Sequence, residues 1–173
     1  MRSNKLRKDI KLKRNLKIVI ALSVIGILLS LYLLFQHYSK VKDPFCDALG
    51  GGCEIVNRGS FSEVDGIFIE FFGIYINFPF PVSLIGTFGF FIGIILACLI
   101  LEDNTFKFVR FRIDKNLMIK LMFGLNVIGF IIAIFLTYIE FIVLGTFCPY
   151  CDATKIIFTV VSIITALNIK YLK

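Results

Sequence analysis

Charge-free stretches dominate the chain. Residues 18–35 contain no charged side chain over 18 positions, residues 71–101 over 31, and residues 121–139 over 19. A last run, residues 156–169, has only 14, but extending it back through Lys155 and Asp152 to Cys148 gives 22. A helix needs about 20 apolar residues to cross the hydrocarbon core of a bilayer. The pattern therefore predicts four transmembrane helices, at about 17–38, 80–101, 118–140 and 149–169. Residues 1–16 form a basic N-terminal segment, and residues 17–173 a single membrane domain with one long loop, 39–79. The first span is not read as a cleaved signal peptide. Its apolar run exceeds the roughly 7–15 residues of such a core, and no A-x-A-like site follows. The polar first turn of the fourth span is expected at the interface, with Lys155 snorkelling to water.

Composition agrees with this division. The chain is 58% hydrophobic and 18% charged, with a mean hydropathy of +0.88. Those values exclude a disordered chain and an ordinary water-soluble domain, which carries about 25% charge. The net charge of +7 comes from 19 Lys and Arg against 12 Asp and Glu, and its placement gives it meaning. Eight basic residues precede the first span. Five (Lys107, Arg110, Arg112, Lys115 and Lys120) lie in or beside the connection between the second and third, and Lys170 and Lys173 follow the fourth. The opposite side holds only Lys40, Lys42, Arg58 and Lys155. Fifteen against four predicts cytoplasmic termini by the positive-inside rule. A nucleic-acid role would need an ordered basic surface with stacking aromatics, which the sequence does not offer.

The long loop then faces outward and carries Asp43, Asp47, Glu54, Glu63, Asp65 and Glu70. Within it, residues 61–78 (FSEVDGIFIEFFGIYINF) are too apolar for a free loop, and they predict a segment lying along the membrane surface. Pro79 and Pro81 mark the entry to the second span. The expected fold class is an all-α membrane protein: a four-transmembrane-helix bundle with an extracytoplasmic loop and an interfacial helix between helices 1 and 2.

Four of the five cysteines map to the outward side: Cys46, Cys53, Cys148 and Cys151. Cys98 sits deep in the second span, where a cysteine behaves as a small hydrophobe. Between Cys46 and Cys53 runs Asp-Ala-Leu-Gly-Gly-Gly, whose glycines let the chain bend until the two Cα atoms come within disulfide range. The same freedom lets one sulfur turn to another partner. Cys148-Pro-Tyr-Cys151 is a C-x-x-C at the mouth of the fourth span. Proline suits the first turn of a helix, and the helix N-terminus favours an anionic Cys148. Residues three apart on a helix are neighbours, so this pair can open and close with little motion. Two static disulfides, a zinc site and a two-step relay are all compatible with four such thiols. The relay accounts best for a glycine-rich pair and a helix-start C-x-x-C on one face. Thiol–disulfide exchange moves two electrons per step, and a quinone is the natural two-electron carrier in a bilayer.

These residues resemble the vitamin K epoxide reductase family in its prokaryotic form. The carrying pieces are Cys46 with Gly51-Gly52-Cys53-Glu-Ile-Val56, then Ser60-Phe61-Ser62, Pro81-Val-Ser-Leu-Ile-Gly86, and Cys148-Pro-Tyr-Cys151. The resemblance runs from the first span to the fourth. It implies a four-helix bundle around a quinone pocket in a prokaryotic cell membrane, the quinone being of ubiquinone or menaquinone type. Cys46 would exchange with an extracytoplasmic thioredoxin-like (DsbA-like) protein, Cys53 would pass electrons to Cys148, and Cys151 would react with the quinone. The net direction implied is disulfide formation. The family's loop serine falls six residues after its second cysteine, where this chain has Gly59, so Ser60 is the candidate and Ser62 the next. The connection between Ser62 and Pro81 is longer than usual. Lys155 stands where vertebrate members have tyrosine, which argues against vitamin K epoxide chemistry. No thioredoxin-like domain follows the fourth span, so the partner is expected to be a separate protein.

Tyr138 and Tyr150 are candidates to flank a quinone ring, although interfacial belts are rich in tyrosine anyway. His37 and Glu140 read as interfacial polar residues with a possible part in proton transfer. A DsbB-type oxidase has the same number of spans, but its C-x-x-C comes first in the chain, the reverse of the order here. A non-catalytic scaffold with structural disulfides is the rival from another class. A transporter ranks last, for want of a central charge in the first three spans.

Overall fold

A computed structural model describes residues 2–39, 43–75, 77–102, 107–108, 111–112 and 115–169. Lys40, Lys42, Arg110, Lys170 and Lys173, used above in the charge count, lie outside the described residues. Four helices are long and apolar enough to cross a membrane, and the chain is an integral membrane protein. They are α1 (Arg2–Tyr38), α5 (Val82–Leu101), α6 (Lys115–Tyr138, continued by a π-helical turn, Ile139–Val143) and α7 (Pro149–Ile169). Between α1 and α5 lie α2 (Pro44–Ala48), α3 (Cys53–Arg58), a 3-10 turn (Ser60–Ser62) and α4 (Val64–Phe72). The architecture is an all-α bundle. The exception among the described residues is a two-residue antiparallel pairing of β1 (Lys107–Phe108) with β2 (Phe111–Arg112), between α5 and α6.

Most apolar side chains of the long helices remain exposed, as lipid-facing surfaces should. The buried seam is narrow. Along α1, Leu12, Leu16, Val19, Ser23, Ser30 and Leu33 are buried, at three-, four- and seven-residue steps that keep one face inward. Leu12, Leu16 and Val19 meet Ala97 and Ile100 of α5, Met118, Ile119 and Met122 of α6, and Val161 of α7 in one cluster, at the end of the bundle away from Cys46, Cys53, Cys148 and Cys151. Hydropathy expects α1 to begin near 17, yet the helix begins at Arg2. The basic residues end the hydropathy signal without ending the helix, because Lys and Arg are good helix formers and their charged heads reach water. Leu12 and Leu16 meanwhile continue the packed face.

Midway along the bundle two glycines admit aromatic rings. A Cβ at Gly26 of α1 would stand 2.5 Å from the Phe90 ring of α5, and Gly129 of α6 gives Phe158 of α7 the same room. Phe90 and Phe158 meet edge to face, with centroids 5.7 Å apart.

Within the α1–α5 connection, the Val64 N–H donates to the Phe80 carbonyl at 3.1 Å, and Glu63 and Pro81 form an isolated bridge. This ties the base of the 64–80 excursion. Only Val64–Phe72 of the apolar 61–78 stretch is regular helix, ended by Gly73 in the left-handed conformation (φ 64°). Phe71 of α4 packs on Phe135 of α6, with centroids 5.1 Å apart.

Candidate active site

The end of α1 is the platform on which one cysteine pair stands. Asp43 caps α2: its Oδ1 accepts from the N–H groups of Phe45, at 2.9 Å, and of Cys46, at 3.3 Å. Its Oδ2 accepts from the Tyr32 hydroxyl, and Gln36 Nε2 donates to Tyr32 Oη at 2.8 Å. The Tyr32 hydroxyl first, then the two backbone N–H groups, hold the Asp43 carboxyl below its ordinary range, against its burial. α3 is clasped to the same two turns of α1. Asn57 Nδ2 donates to the Leu33 carbonyl at 2.7 Å, and Arg58 Nε donates to the Gln36 carbonyl at 3.0 Å. The His37 ring lies 2.6 Å from the Asn57 carbonyl and 3.2 Å from Glu63 Oε1. His37 is thus a clasp between α1 and the loop.

Cys46, at the middle of α2, and Cys53, the first residue of α3, form a disulfide with Cα atoms 6.2 Å apart. Cys46 is buried, while Phe45, Leu49 and Ile55 around it are more than half exposed or close to it.

The Gly50–Gly52 turn docks on the residues that precede α7. The Gly52 N–H donates to the Phe147 carbonyl at 2.9 Å. Cys53 follows the donor and Cys148 follows the acceptor, so the two pairs stand on neighbouring residues of two hydrogen-bonded segments. A Cβ on Gly51 would lie 2.9 Å from both Cys46 Sγ and Pro149 Cδ, and one on Gly52 would collide with the Thr146 side chain. Gly51 and Gly52 provide close approach, while Gly50, with φ 69°, provides the bend. The sequence reading foresaw a sharp bend; the contact with 146–149 required the fold.

Cys148 and Cys151 are free thiols. Cys148 is fully buried, and its Sγ accepts from the Cys151 N–H at 3.3 Å. The hydrogen bond from the Cys151 side chain, with those backbone N–H groups, holds the Cys148 thiol below its ordinary range, although burial and the nearby Glu140 charge oppose this. Tyr150, between the cysteines, packs on Tyr32 (4.9 Å between centroids) and Phe45 (5.8 Å). The C-x-x-C thereby touches the cap of the helix that carries Cys46.

Behind Cys151 opens an apolar cavity of about 330 Å³, walled by all four long helices and by Val56, Asn57, Phe61 and Ser62. Its size and character suit a small apolar ligand with a few polar groups. Two hydroxyls on its wall, Ser23 and Ser83, are buried without a hydrogen-bond partner. The Ser83 hydroxyl, in the first turn of α5 at the cysteine end, offers a donor to a ligand's carbonyl oxygen, so the residues at that end fit a quinone headgroup; Ser23 lies deeper, beyond the Phe90 ring that covers Gly26.

The candidates from sequence distribute unevenly over this site. Cys46, Cys53, Cys148 and Cys151 come together. Ser62 is buried, lines the cavity and donates through Oγ to the Gly59 carbonyl at 2.7 Å. Ser60 is exposed, in a polar groove with Arg58, Glu63 and Asp65. Tyr138 is half exposed, and neither it nor Tyr150 lines the cavity. Cys98 faces outward from α5. Lys155 does not snorkel. It turns inward, lines the cavity, and pairs with Glu140 Oε2 and, at 2.7 Å, with Asp152 Oδ1. Glu140, read from sequence as an interfacial helix end, is almost completely buried, and its other oxygen accepts from the Cys148 N–H. The missed signal was two opposite charges on either side of one short connection between spans.

Four membrane-crossing helices with two cysteine pairs at their termini, one oxidised and one reduced, define a membrane protein built for disulfide chemistry. The sequence model of the vitamin K epoxide reductase family matches residues 17–166. The chain belongs to that family, whose members are redox enzymes working through cysteine pairs and which generally use quinones.

Proposed function

We propose that the protein is a quinone-dependent thiol–disulfide oxidoreductase that makes disulfides for a separate extracytoplasmic thioredoxin-like protein. The observation that carries this reading is the docking of the Gly-rich turn on Phe147, beside Cys148, with Cys151 on the cavity wall behind. The partner's dithiol reduces Cys46–Cys53: its first thiolate attacks Cys46, its second closes the partner's disulfide, and two thiols remain on Cys46 and Cys53. Cys53 then attacks Cys148 of an oxidised inner pair, and Cys46 resolves the mixed disulfide, returning Cys46–Cys53 and leaving Cys148 and Cys151 as thiols. A quinone bound in the cavity would supply the two-electron acceptor that reoxidises them. Cys151 presents the reactive sulfur on that wall, while Ser83 offers an unpaired hydroxyl. Ser62 suits the family's loop-serine position better than Ser60, because it is the one on the cavity wall. The exposed Phe45, Leu49 and Ile55 form the apolar rim against which the partner would seat. The basic residues argue for cytoplasmic termini, which leaves the cysteine end outside, with α4 lying at that membrane interface.

Purified protein given a soluble quinone and a reduced thioredoxin-like protein should oxidise the latter catalytically. Turnover should disappear in Cys46→Ala, Cys53→Ala, Cys148→Ala and Cys151→Ala, and persist in Cys98→Ala. Quinone-dependent oxidation that survives loss of Cys151 would overturn the assignment.

A further inference from the structure

The relay leaves one buried group without a task. Lys155 faces the same cavity as Cys151, one helical turn further along α7. Its ammonium is held from two sides, by Glu140 at the end of α6 and by Asp152 on its own helix. A buried carboxylate and a largely covered ammonium beside an apolar cavity cost free energy to bury. The α1 and α5 walls facing them contribute only uncharged side chains. Ordinary snorkelling would free Lys155 of that cost, so the inward placement calls for a use.

The exchange step has such a use. When Cys53 attacks Cys148 of the inner disulfide, the Cys53–Cys148 bond forms and the Cys148–Cys151 bond breaks. The electron pair of the broken bond leaves on the Cys151 sulfur. No proton is consumed, so a bare thiolate is released at the cavity wall. Leaving sulfurs depart faster the more stable their thiolates are. We propose that Lys155 is the positioning cation for the Cys151 thiolate, and that Glu140 and Asp152 hold it there.

Glu140 then has a second part. Its carboxylate joins the ammonium to the Cys148 backbone N–H, fixing the cation relative to both sulfurs. Its own negative charge opposes a thiolate, as does that of Asp152, so the three groups together carry one net negative charge and the ammonium alone favours the thiolate. The inference rests on the relay proposed above, but its test uses neither quinone nor partner.

In a Cys98→Ala/Cys148→Ala background, Cys151 is the sole free thiol. Its alkylation by iodoacetamide is followed as a function of pH, and the midpoint reports thiolate formation with Glu140, Asp152 and Lys155 as the facing charges. Lys155→Met should raise the midpoint so that, at a given pH below it, the alkylation rate falls about tenfold, the factor for one unit. Lys155→Arg should restore it, since the charge is kept. Glu140→Gln should shift it the opposite way. Opposite shifts from two variants cannot come from a shared loss of fold. An unchanged midpoint in both Lys155→Met and Glu140→Gln, or shifts of the same sign, would overturn the proposal. Failure of quinone turnover in the unaltered protein would strike the relay instead and leave these shifts in place.

Discussion

Asp43 is the residue on which the outer pair depends most. It is a single side chain that caps α2, accepts from Tyr32 and thereby fixes Cys46 against α1. Removing an N-cap acid costs about 1 kcal/mol. Asp43→Ala should therefore speed amide exchange in residues 45–48 by about fivefold, measured by mass spectrometry; unchanged exchange would show that the cap does nothing. The carboxyl is held below its ordinary range in the folded chain. Its contribution is therefore complete above the unfolded value of about 3.9 and is lost as pH falls through the lower folded value. Local opening of residues 44–48 should increase on that acid side and not between neutral and alkaline pH. Sequence showed Asp43 only as one of six loop acids, because capping depends on backbone direction. That four of the five cysteines would gather at one end was legible from their spacing relative to the spans. Lys155 and Glu140 were visible as charges but not as a pair, since their meeting depends on how the turn between α6 and α7 folds back.

At the scale of elements, the Gly50–Gly52 turn and the stretch before Pro149 form the contact through which the proposed exchange would pass. The tightness of that contact is testable. Gly52→Ala places a methyl group into Thr146, so the turn must lift and the Gly52–Phe147 hydrogen bond must lengthen. Electron transfer from a reduced outer pair to an oxidised inner pair should slow by at least tenfold, read by stopped-flow with acid quench and thiol counting. Thr146→Ala in the same chain removes the two closest side-chain atoms and should recover part of the rate. Equal rates in all three proteins would mean that this contact does not set the exchange. The sequence signalled the turn through its glycines but could not name its partner, which lies nearly a hundred residues away. Spans were the most legible elements, because lipid imposes length and apolarity locally. The extra turns at the start of α1 were not, because charge hides a helix from a hydropathy pattern.

For the molecule as a whole, function follows from where the helices separate. The packed cluster of Leu12, Leu16, Ile100, Ile119 and Met122 closes one end of the bundle. From that cluster to the cysteine end the helices enclose the cavity, with Phe90 and Phe158 on its wall and Cys151 at its outer end. One end therefore gathers an exposed apolar rim, two sulfur pairs in hydrogen-bonded neighbouring segments, and an apolar chamber. The cavity could not be read from hydropathy, since a serine or glycine on a packed seam looks the same as one lining a void. The central claim is that electrons cross from Cys53 to Cys148. It is tested most directly in a Cys46→Ala/Cys151→Ala protein oxidised mildly in membranes, digested, and searched by mass spectrometry for linked cysteine peptides. A Cys53–Cys148 disulfide in most of the molecules is the predicted result. Recovery of Cys53 and Cys148 as separate free thiols under those conditions would contradict it.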